Sequence, residues 1–270
     1  MNDNLNGARS PDLWSSGDAY ERYVGRWSRP VAREFLTWLA VPVGSRWLDV
    51  GCGSGALSET ILRIATPSQV KGIDRSEAFI AHAREFLKDD RAHFEVGDAQ
   101  SLPEETAGFD VAVSSLMLNF IPKPDLALGE MTRVVRSGGI VAAYVWDYAG
   151  EMQLMRHFWN AAAALDPAAS ALDEGRRTAL CEPKPLNDLF QKTGLKNVEV
   201  RAIDIPTDFA DFDDLWLPFL GGQGPASSYL MSLSEGAQLA LRERLRAGLP
   251  FAPDGSIPLM ARAWAVRGVR

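Results

Sequence analysis

The segment from Arg46 to Trp146 alternates short apolar runs with longer amphipathic ones, and this rhythm constrains the fold more than any other feature. It predicts strands at 47–50, 70–73, 92–96, 109–114 and 140–146, helices at 56–64 and 124–135, and a further helix capped by Ser76. Strands separated by helices form βαβ units with parallel strands and right-handed crossovers. We therefore expect an α/β fold with a doubly wound, mostly parallel sheet.

Further elements are predicted on both sides of this segment. A helix from Asp18 and a second one through Ala40, with Pro30 in its first turn, come before it. After it we expect helices at 152–165, 185–192, 211–220 and 234–245, and strands at 198–205 and 259–267. We interpret residues 1–17 as a flexible arm and 18–270 as one domain, with N-terminal helices over 18–40 and a helical cap insertion over about 151–224.

Composition excludes some classes of function. The formal net charge of -7 argues against a nucleic-acid partner that is held through its phosphates. Cys52 and Cys181 are the two cysteines, the amino terminus has no signal-peptide pattern, and no apolar run reaches membrane-spanning length. These features favour a cytoplasmic protein without membrane insertion. The three histidines do not form a metal-binding pattern, and the sequence leaves monomer and homodimer open.

A glycine cluster follows the first predicted strand, in the run from Asp49 to Gly55 (DVGCGSG). Glycines at such a strand-to-helix junction allow a sharp turn and a close approach of the backbone to a ligand. By itself the cluster is ambiguous, because Gly51, Gly53 and Ala56 also satisfy a relaxed dinucleotide-binding pattern.

Three acidic residues distinguish the two interpretations. Asp49 ends the first strand, where a carboxylate would repel a pyrophosphate but attract a cationic amino-acid tail. Asp74 ends the second strand, where a carboxylate can accept hydrogen bonds from ribose hydroxyls. Asp98 follows the third strand and can accept from an adenine amino group, with the Ala99 N–H free to donate to the ring. These positions meet at the carboxyl edge of a parallel sheet, where ligands bind.

These motifs together resemble class I S-adenosylmethionine-dependent methyltransferases, and more narrowly the small-molecule branch with the ubiquinone- and menaquinone-biosynthesis C-methyltransferases. The resemblance covers about 20–146 and rests on DVGCGSG at 49–55, GID at 72–74, GDA at 97–99, FD at 109–110 and SGG at 137–139. It implies a seven-stranded sheet whose last strand, here 259–267, is antiparallel. It also implies S-adenosylmethionine as the cofactor, with the glycines under its methionine part, Asp74 at the ribose, and Asp98 and Ala99 at the adenine.

The resemblance extends the predicted site beyond the three acids. Ser115 and Leu116 would line it after the fourth strand, and the N-terminal helix would cover the methionine end. The aromatic face of that helix is equally consistent with a core position. The complete set of predicted cofactor-binding residues is Tyr20, Tyr23, Trp27, Asp49, Gly51, Cys52, Gly53, Gly55, Asp74, Arg75, Asp98, Ala99, Ser115 and Leu116. Two positions depart from the family: Ser137 stands where proline is common, and Asn119 where many members carry histidine.

The methyl acceptor is less constrained. Trp146, Asp147 and Tyr148 end the fifth strand beside the expected acceptor position, and we predict that they contact the acceptor. His157 is the candidate general base, although a structural role fits it too. The apolar composition of 151–224 suggests a small, partly apolar acceptor that reacts by in-line displacement at the sulfonium methyl group. Arg22 and Arg26 are expected to face solvent.

Two other functions remain open at this stage. The first is a nicotinamide-dependent oxidoreductase, which Asp49 and the absence of a Tyr-x-x-x-Lys pair after the fourth strand disfavour. The second is a protein that binds S-adenosylmethionine without transferring its methyl group.

Overall fold

One seven-stranded sheet organises the part of the chain that the structure describes, residues 25–221 and 224–270 of a computed structural model. The strands are β1 Arg46–Val50, β2 Gln69–Asp74, β3 Ala92–Val96, β4 Phe109–Ser115, β5 Val135–Trp146, β6 Lys196–Pro206 and β7 Met260–Val269. Their order is β3-β2-β1-β4-β5-β7-β6. Neighbours among β1 to β5 pair in parallel, whereas β7 is antiparallel to both β5 and β6. The predicted doubly wound sheet with an antiparallel last strand is confirmed.

The helices predicted within the described residues occur in the predicted order, together with two that were not predicted, at 174–177 and 224–232. They are α1 Ser28–Leu39, α2 Ala56–Ile64, α3 Glu77–Phe86, α4 Pro124–Val134, α5 Gln153–Leu165, α6 Glu174–Arg177, α7 Pro183–Lys192, α8 Phe212–Trp216, α9 Gly224–Ser232 and α10 Glu235–Ala247. The hydroxyl of Ser76 accepts a hydrogen bond from the Phe79 N–H at 3.3 Å, which is the predicted cap of α3. No helix in the described ranges is long and apolar enough to cross a bilayer.

The core lies on both faces of the sheet, because successive strand residues point to opposite sides. On β1, Trp47 belongs to a buried cluster with residues of α1, α2 and α5, while Leu48 belongs to a cluster on the other face with residues of α4 and α7. Tyr144 and Val145 divide in the same way on β5. The central strands are therefore apolar on both faces, as is typical of a parallel sheet covered by helices on both sides.

Several element boundaries differ from the prediction. β5 begins at Val135 rather than at 140, because the Ser137–Gly139 segment is absorbed as an irregularity in its pairing with β4. The helix predicted at 211–220 divides into α8 and a 3₁₀ turn at Leu217–Gly221. Helix α9 was not predicted, since its buried residues are not confined to one face and therefore show no helical periodicity.

The N-terminal predictions are tested only in part. The helix predicted from Asp18, with Tyr20, Arg22 and Tyr23, lies outside the described residues. Arg26 was expected to face solvent, and this was wrong: its guanidinium pairs with Asp214 at 2.7 Å. The domain division stays a prediction, although 196–206, inside the predicted cap insertion, forms strand β6 of the sheet.

The topology creates a crevice at one edge of the sheet. The chain proceeds from β1 outward to β3 and then returns to β4 on the other side of β1. At such a switch point the loops after β1 and β4 diverge, and the space between them is where open α/β sheets bind ligands.

Candidate functional site

A cavity of about 520 Å³ lies at the carboxyl ends of β1 to β5. It brings together most residues of the predicted site. Those that line it are Gly51, Cys52, Gly53, Asp74, Arg75, Asp98, Ala99, Ser115, Leu116, Trp146 and Tyr148. Lining residues that sequence reasoning missed include Ser28, Phe79, Gln100, Met117, Phe120 and Ile121.

The loop after β1 is held against β2. The backbone N–H groups of Gly51 and Cys52 both donate to the carbonyl of Ile73, at 2.7 and 3.1 Å. Gly51 has φ +73°, and a Cβ there would lie 2.5 Å from Cγ of Met117. Only glycine meets both conditions without displacing a neighbour. The loop therefore presents bare backbone to the cavity.

Asp74 joins the glycine loop to the end of β2. One carboxylate oxygen accepts from the Gly53 N–H at 3.0 Å, and the other accepts from the Ser76 N–H at 2.9 Å. Because Asp74 also lines the cavity, it both orders the loop and offers further acceptor capacity to a ligand. The backbone of Asp74 also links β2 to the end of β3, since its carbonyl accepts from the Gly97 N–H at 3.0 Å.

Asp98 occupies the outer end of the cavity. It is exposed, and its carboxylate accepts from the backbone N–H of Gln100 at 2.9 Å. The carboxylate is thus oriented by a local turn and keeps acceptor sites for a bound molecule.

Asp49 lies behind the glycine loop rather than in the cavity wall. It is fully buried, and one oxygen accepts from the Ser58 hydroxyl at 2.7 Å. The other oxygen has no partner among the described residues. Desolvation raises the pKa of this carboxyl to about 7, and the nearby charge of Asp74 adds to the shift. Gly55 is also behind the wall, where a Cβ would meet Leu87.

The other end of the cavity is apolar. Leu116 has φ +55°, a conformation rare for this residue type, and its N–H donates to the Tyr144 carbonyl at 2.8 Å. This bend directs the chain into a 3₁₀ turn at Leu118–Phe120. The turn exposes Met117 and Phe120 to the cavity, opposite the buried rings of Trp146 and Tyr148.

Three further predicted site residues, besides Asp49 and Gly55, do not line the cavity. Asp147 alternates with its two lining neighbours and accepts instead from the N–H groups of Gly150 and Glu151, at 2.9 and 3.1 Å. His157 lines a different cavity, between α5 and residues 247–250. Trp27 packs edge-on against Phe209 at 5.7 Å. Tyr20 and Tyr23 lie outside the described residues.

The predicted cap insertion does not supply the apolar wall. None of the described residues in 151–224 lines the cavity. The expectation that this segment forms the acceptor surface is therefore corrected: the apolar surface comes from 116–122 after β4 and from the end of β5. The described part of this segment supports the site from behind: the 3₁₀ turn Ala179–Cys181 packs against the turn Leu118–Phe120, and Gly175 lies against the backbone of Tyr148.

The charges of the cavity select against a phosphate-rich ligand. Asp74 and Asp98 line it, Asp49 lies beneath it, and Arg75 is the cationic side chain among the described lining residues. Carboxylates in this arrangement attract a cation and repel a pyrophosphate. Asp49, when ionised, adds to this negative potential from behind the glycine loop, although it does not line the cavity.

Comparison with known proteins agrees with this chemistry. A family described as a methyltransferase domain matches residues 48–143. The methyltransferase GfsG of Streptomyces halstedii is 31% identical over 206 residues, which cover 70% of this chain and 68% of that protein. The 2-methyl-6-phytyl-1,4-hydroquinone methyltransferase of Synechocystis sp. is 28% identical over 241 residues, which cover 80% of this chain and 74% of that protein. Several other relatives match over about half of their own length.

The fold is shared with solved structures. Phosphoethanolamine N-methyltransferase 2 of Haemonchus contortus, in complex with S-adenosyl-L-methionine, superposes with a TM-score of 0.58 at 19% identity. The superposition covers 94% of this chain and 56% of that one. From the sequence match to GfsG, the matching domain family and the common fold, this chain belongs to the S-adenosylmethionine-dependent methyltransferases.

Proposed function

We propose that the chain methylates a small, partly apolar organic molecule, and that the acceptor binds against residues 116–122 and Trp146. The observation that carries this proposal is the division of one cavity into two ends. The glycine loop, Asp74 and Asp98 form a polar end, and Leu116, Met117 and the neighbouring rings form an apolar end. A cofactor and an acceptor placed in one cavity can meet without solvent between them.

The residues of the polar end fit S-adenosylmethionine. We assign the methionine part to the loop at Gly51 and Gly53, the ribose hydroxyls to Asp74, and the adenine to Asp98 and Ala99. The bare backbone at Gly51 and the nearby acidic charge of Asp74 and Asp49 support this assignment, since the methionine part carries a cationic ammonium and the sulfonium is also positive. Arg75 and Cys52 complete the wall.

When bound, the cofactor supplies an electrophilic methyl group, and the residues of the chain supply alignment. The loops after β4 and β5 are fixed by the parallel pairing of those strands, up to Ser115 and Tyr144. They hold the apolar end at a constant distance from the glycine loop. Trp146 and Tyr148 are buried and give this wall an apolar surface; an acceptor bound against it would exclude water, which favours methyl transfer to the acceptor over transfer to water.

The described lining residues offer no obvious general base. Burial, with the charges of Asp49 and Asp74, raises the pKa of the Cys52 thiol well above its ordinary value, so it stays protonated. Burial lowers the pKa of His157, but His157 lies in a different cavity. We therefore propose an acceptor that gives its proton to solvent before it binds, as an acidic hydroxyl or enol does. The relatives named for hydroquinone or demethylmenaquinone substrates support an aromatic acceptor of this kind.

The setting of the reaction is also a proposal. We place the enzyme in the cytoplasm, as a monomer or homodimer, with small molecules and not nucleic acid as its partners. The net charge of -7 and two unpaired buried cysteines support this. Light scattering of the purified chain decides between monomer and homodimer.

The test is a transfer assay with radiolabelled S-adenosylmethionine against hydroquinones, phenols, amines and carboxylic acids. We expect label in an apolar phenol or hydroquinone, and none with the Gly51→Ala variant. Label in none of the four classes, with cofactor binding intact, would contradict methyl transfer to such molecules and favour a protein that only binds the cofactor. Label confined to amines would contradict the proposed acceptor class.

A further inference from the structure

Arg26 lies against two aromatic rings that meet edge-on, immediately before α1. Its guanidinium carbon lies 4.5 Å from the ring centroid of Trp27 and 4.6 Å from that of Phe209. Its two terminal nitrogens lie 2.7 and 3.4 Å from the two carboxylate oxygens of Asp214. A paired cation stacked on rings has a defined position, unlike a surface arginine.

The segment that receives Arg26 is itself anchored. Asp214 accepts a further hydrogen bond from the Ala210 N–H at 3.0 Å, and Arg26 lowers the pKa of its carboxyl against the effect of burial. Phe209 exchanges two backbone hydrogen bonds with Ile257, at 3.1 and 2.9 Å. The Arg26 contact therefore ties the start of α1 to a fixed part of the body, across 188 residues of sequence.

The other side of this contact is the cavity. Ser28 comes two residues after Arg26, is 4% exposed and lines the cavity together with the glycine loop. Trp27, between them, packs edge-on against Phe209. The contact at Arg26 is thus separated from a cavity wall by one residue.

We propose that Arg26 is a positioning residue, which holds the Ser28 wall in the geometry that binds the cofactor. The inference rests on the proposed function only in assigning the cofactor to this cavity. Without the contact, the start of α1 samples other positions. The apparent dissociation constant of the cofactor then equals the intrinsic constant divided by the fraction of molecules whose cavity wall is in the binding geometry. A decrease of that fraction to about one tenth raises the constant about tenfold.

The chain contains a matched pair whose side chains do not line the cavity; the backbone carbonyl of Arg262, which accepts from the Asp147 N–H at 2.9 Å, is left in place by a side-chain substitution. Arg262 on β7 binds both oxygens of Asp204 on β6, at 2.7 and 2.9 Å, and stacks on Trp264 at 5.4 Å. The two arginine side chains have nearly equal exposure, 28% for Arg26 and 27% for Arg262. Neither Arg262 nor Asp204 lines the cavity.

The experiment compares Arg26→Met with Arg262→Met in the full chain. Calorimetry measures the dissociation constant of S-adenosylhomocysteine, and thermal unfolding measures stability. We expect about tenfold weaker binding for Arg26→Met and unchanged binding for Arg262→Met, with similar decreases of Tm. Arg26→Lys, which keeps the charge, should restore part of the affinity.

Two results would overturn the inference while leaving the proposed function intact. One is unchanged binding by Arg26→Met, and the other is an equal loss of binding in Arg262→Met. If Arg26→Met fails to fold, Asp214→Asn against Asp204→Asn makes the same comparison. A wild-type chain that does not bind S-adenosylhomocysteine would instead contradict the proposed function itself.

Discussion

The Ser58 hydroxyl donates to the Asp49 carboxylate at 2.7 Å, beneath the glycine loop, and leaves the other carboxylate oxygen without a partner among the described residues. The pair is fully buried. Asp49 is therefore fixed in place, with its pKa raised to about 7 by desolvation. A cation bound in the cavity favours the ionised form, so cofactor binding and deprotonation of Asp49 are coupled.

The first prediction is a pH dependence of cofactor affinity. Below about pH 7 Asp49 is protonated in the free protein, and binding must then release its proton. We expect affinity for S-adenosylmethionine to rise with pH through 7 and to level off above it. Asp49→Asn should bind more weakly and without this dependence. Calorimetry across this range measures both, and Glu174→Gln, which removes a buried carboxyl outside the cavity, should keep the dependence.

A second prediction concerns Gly51 and Met117. Gly51→Ala places a Cβ 2.5 Å from Cγ of Met117 at φ +73°, and should abolish measurable cofactor binding. Gly44→Ala is the control, because Gly44 has φ +79° with nothing within 4 Å. It should cost about 1 kcal/mol of stability and leave binding unchanged. The double variant Gly51→Ala with Met117→Ala should recover part of the binding; no recovery would contradict a role for the Met117 contact.

Asp74 and Asp98 should differ in importance. The Asp74 carboxylate accepts from two backbone N–H groups, and Asp74→Asn replaces one acceptor by a donor facing an N–H. We expect cofactor affinity to fall by about ten- to a hundredfold, which corresponds to a charge-assisted hydrogen bond. Asp98 is exposed, and Asp98→Asn should cost less than about tenfold. Equal losses in the two variants would argue against the assigned ribose and adenine positions.

Glu174 predicts a pH dependence of stability. It is 5% exposed, accepts a hydrogen bond from the Trp159 indole, and has its pKa raised by desolvation to about 7, against an ordinary value of 4.5. A raised folded-state pKa adds stability at low pH that is lost as pH rises toward 7. Glu174→Gln keeps the acceptor without the charge, so it should be more stable than wild type by roughly 3 kcal/mol above pH 7 and nearly equal at about pH 4. Urea unfolding at both pH values measures the difference; a variant that is less stable at high pH would contradict this account.

Asn119 should show opposite effects on stability and activity. It is 9% exposed, and neither its amide nitrogen nor its oxygen has a partner among the described residues. Asn119→Leu removes this unfavourable burial at similar volume and should raise the free energy of unfolding by about 1 kcal/mol. Met117 and Phe120, in the same turn, line the apolar end of the cavity, and a leucine at 119 would change how this turn packs. We therefore expect methyl transfer to decrease, while cofactor affinity, which depends on the polar end, is unchanged. Lower stability in this variant would indicate a structural role instead.

The polar end of the cavity was predictable from the sequence for a physical reason. Parallel strands bring their carboxyl ends to one edge, so residues that follow separate strands must meet there. For this reason strand order and spacing suffice to predict that Gly51, Asp74 and Asp98 lie around one cavity. Asp49 was expected beside the ligand, but it lies behind the glycine loop and does not line the cavity. The sequence pattern of β1 does not show that the loop after the strand folds over this side chain.

Other features depend on contacts that no local pattern encodes. The Arg26–Asp214 pair joins residues 188 positions apart, so periodicity alone suggested that Arg26 faces solvent. Met117 and Phe120 reach the cavity because Leu116 adopts φ +55° and starts an irregular turn. Asp147 lies between two lining residues, but it follows the end of β5 and its carboxylate accepts from the Gly150 N–H in the turn that comes next.

The most direct test of the central claim is calorimetry of the wild-type chain with S-adenosylmethionine and, separately, with NAD. We predict one S-adenosylmethionine site per chain, competed by S-adenosylhomocysteine and abolished by Gly51→Ala, with no detectable binding of NAD. Absence of S-adenosylmethionine binding, or binding that Gly51→Ala leaves unchanged, would contradict a cofactor site at the carboxyl edge of this sheet.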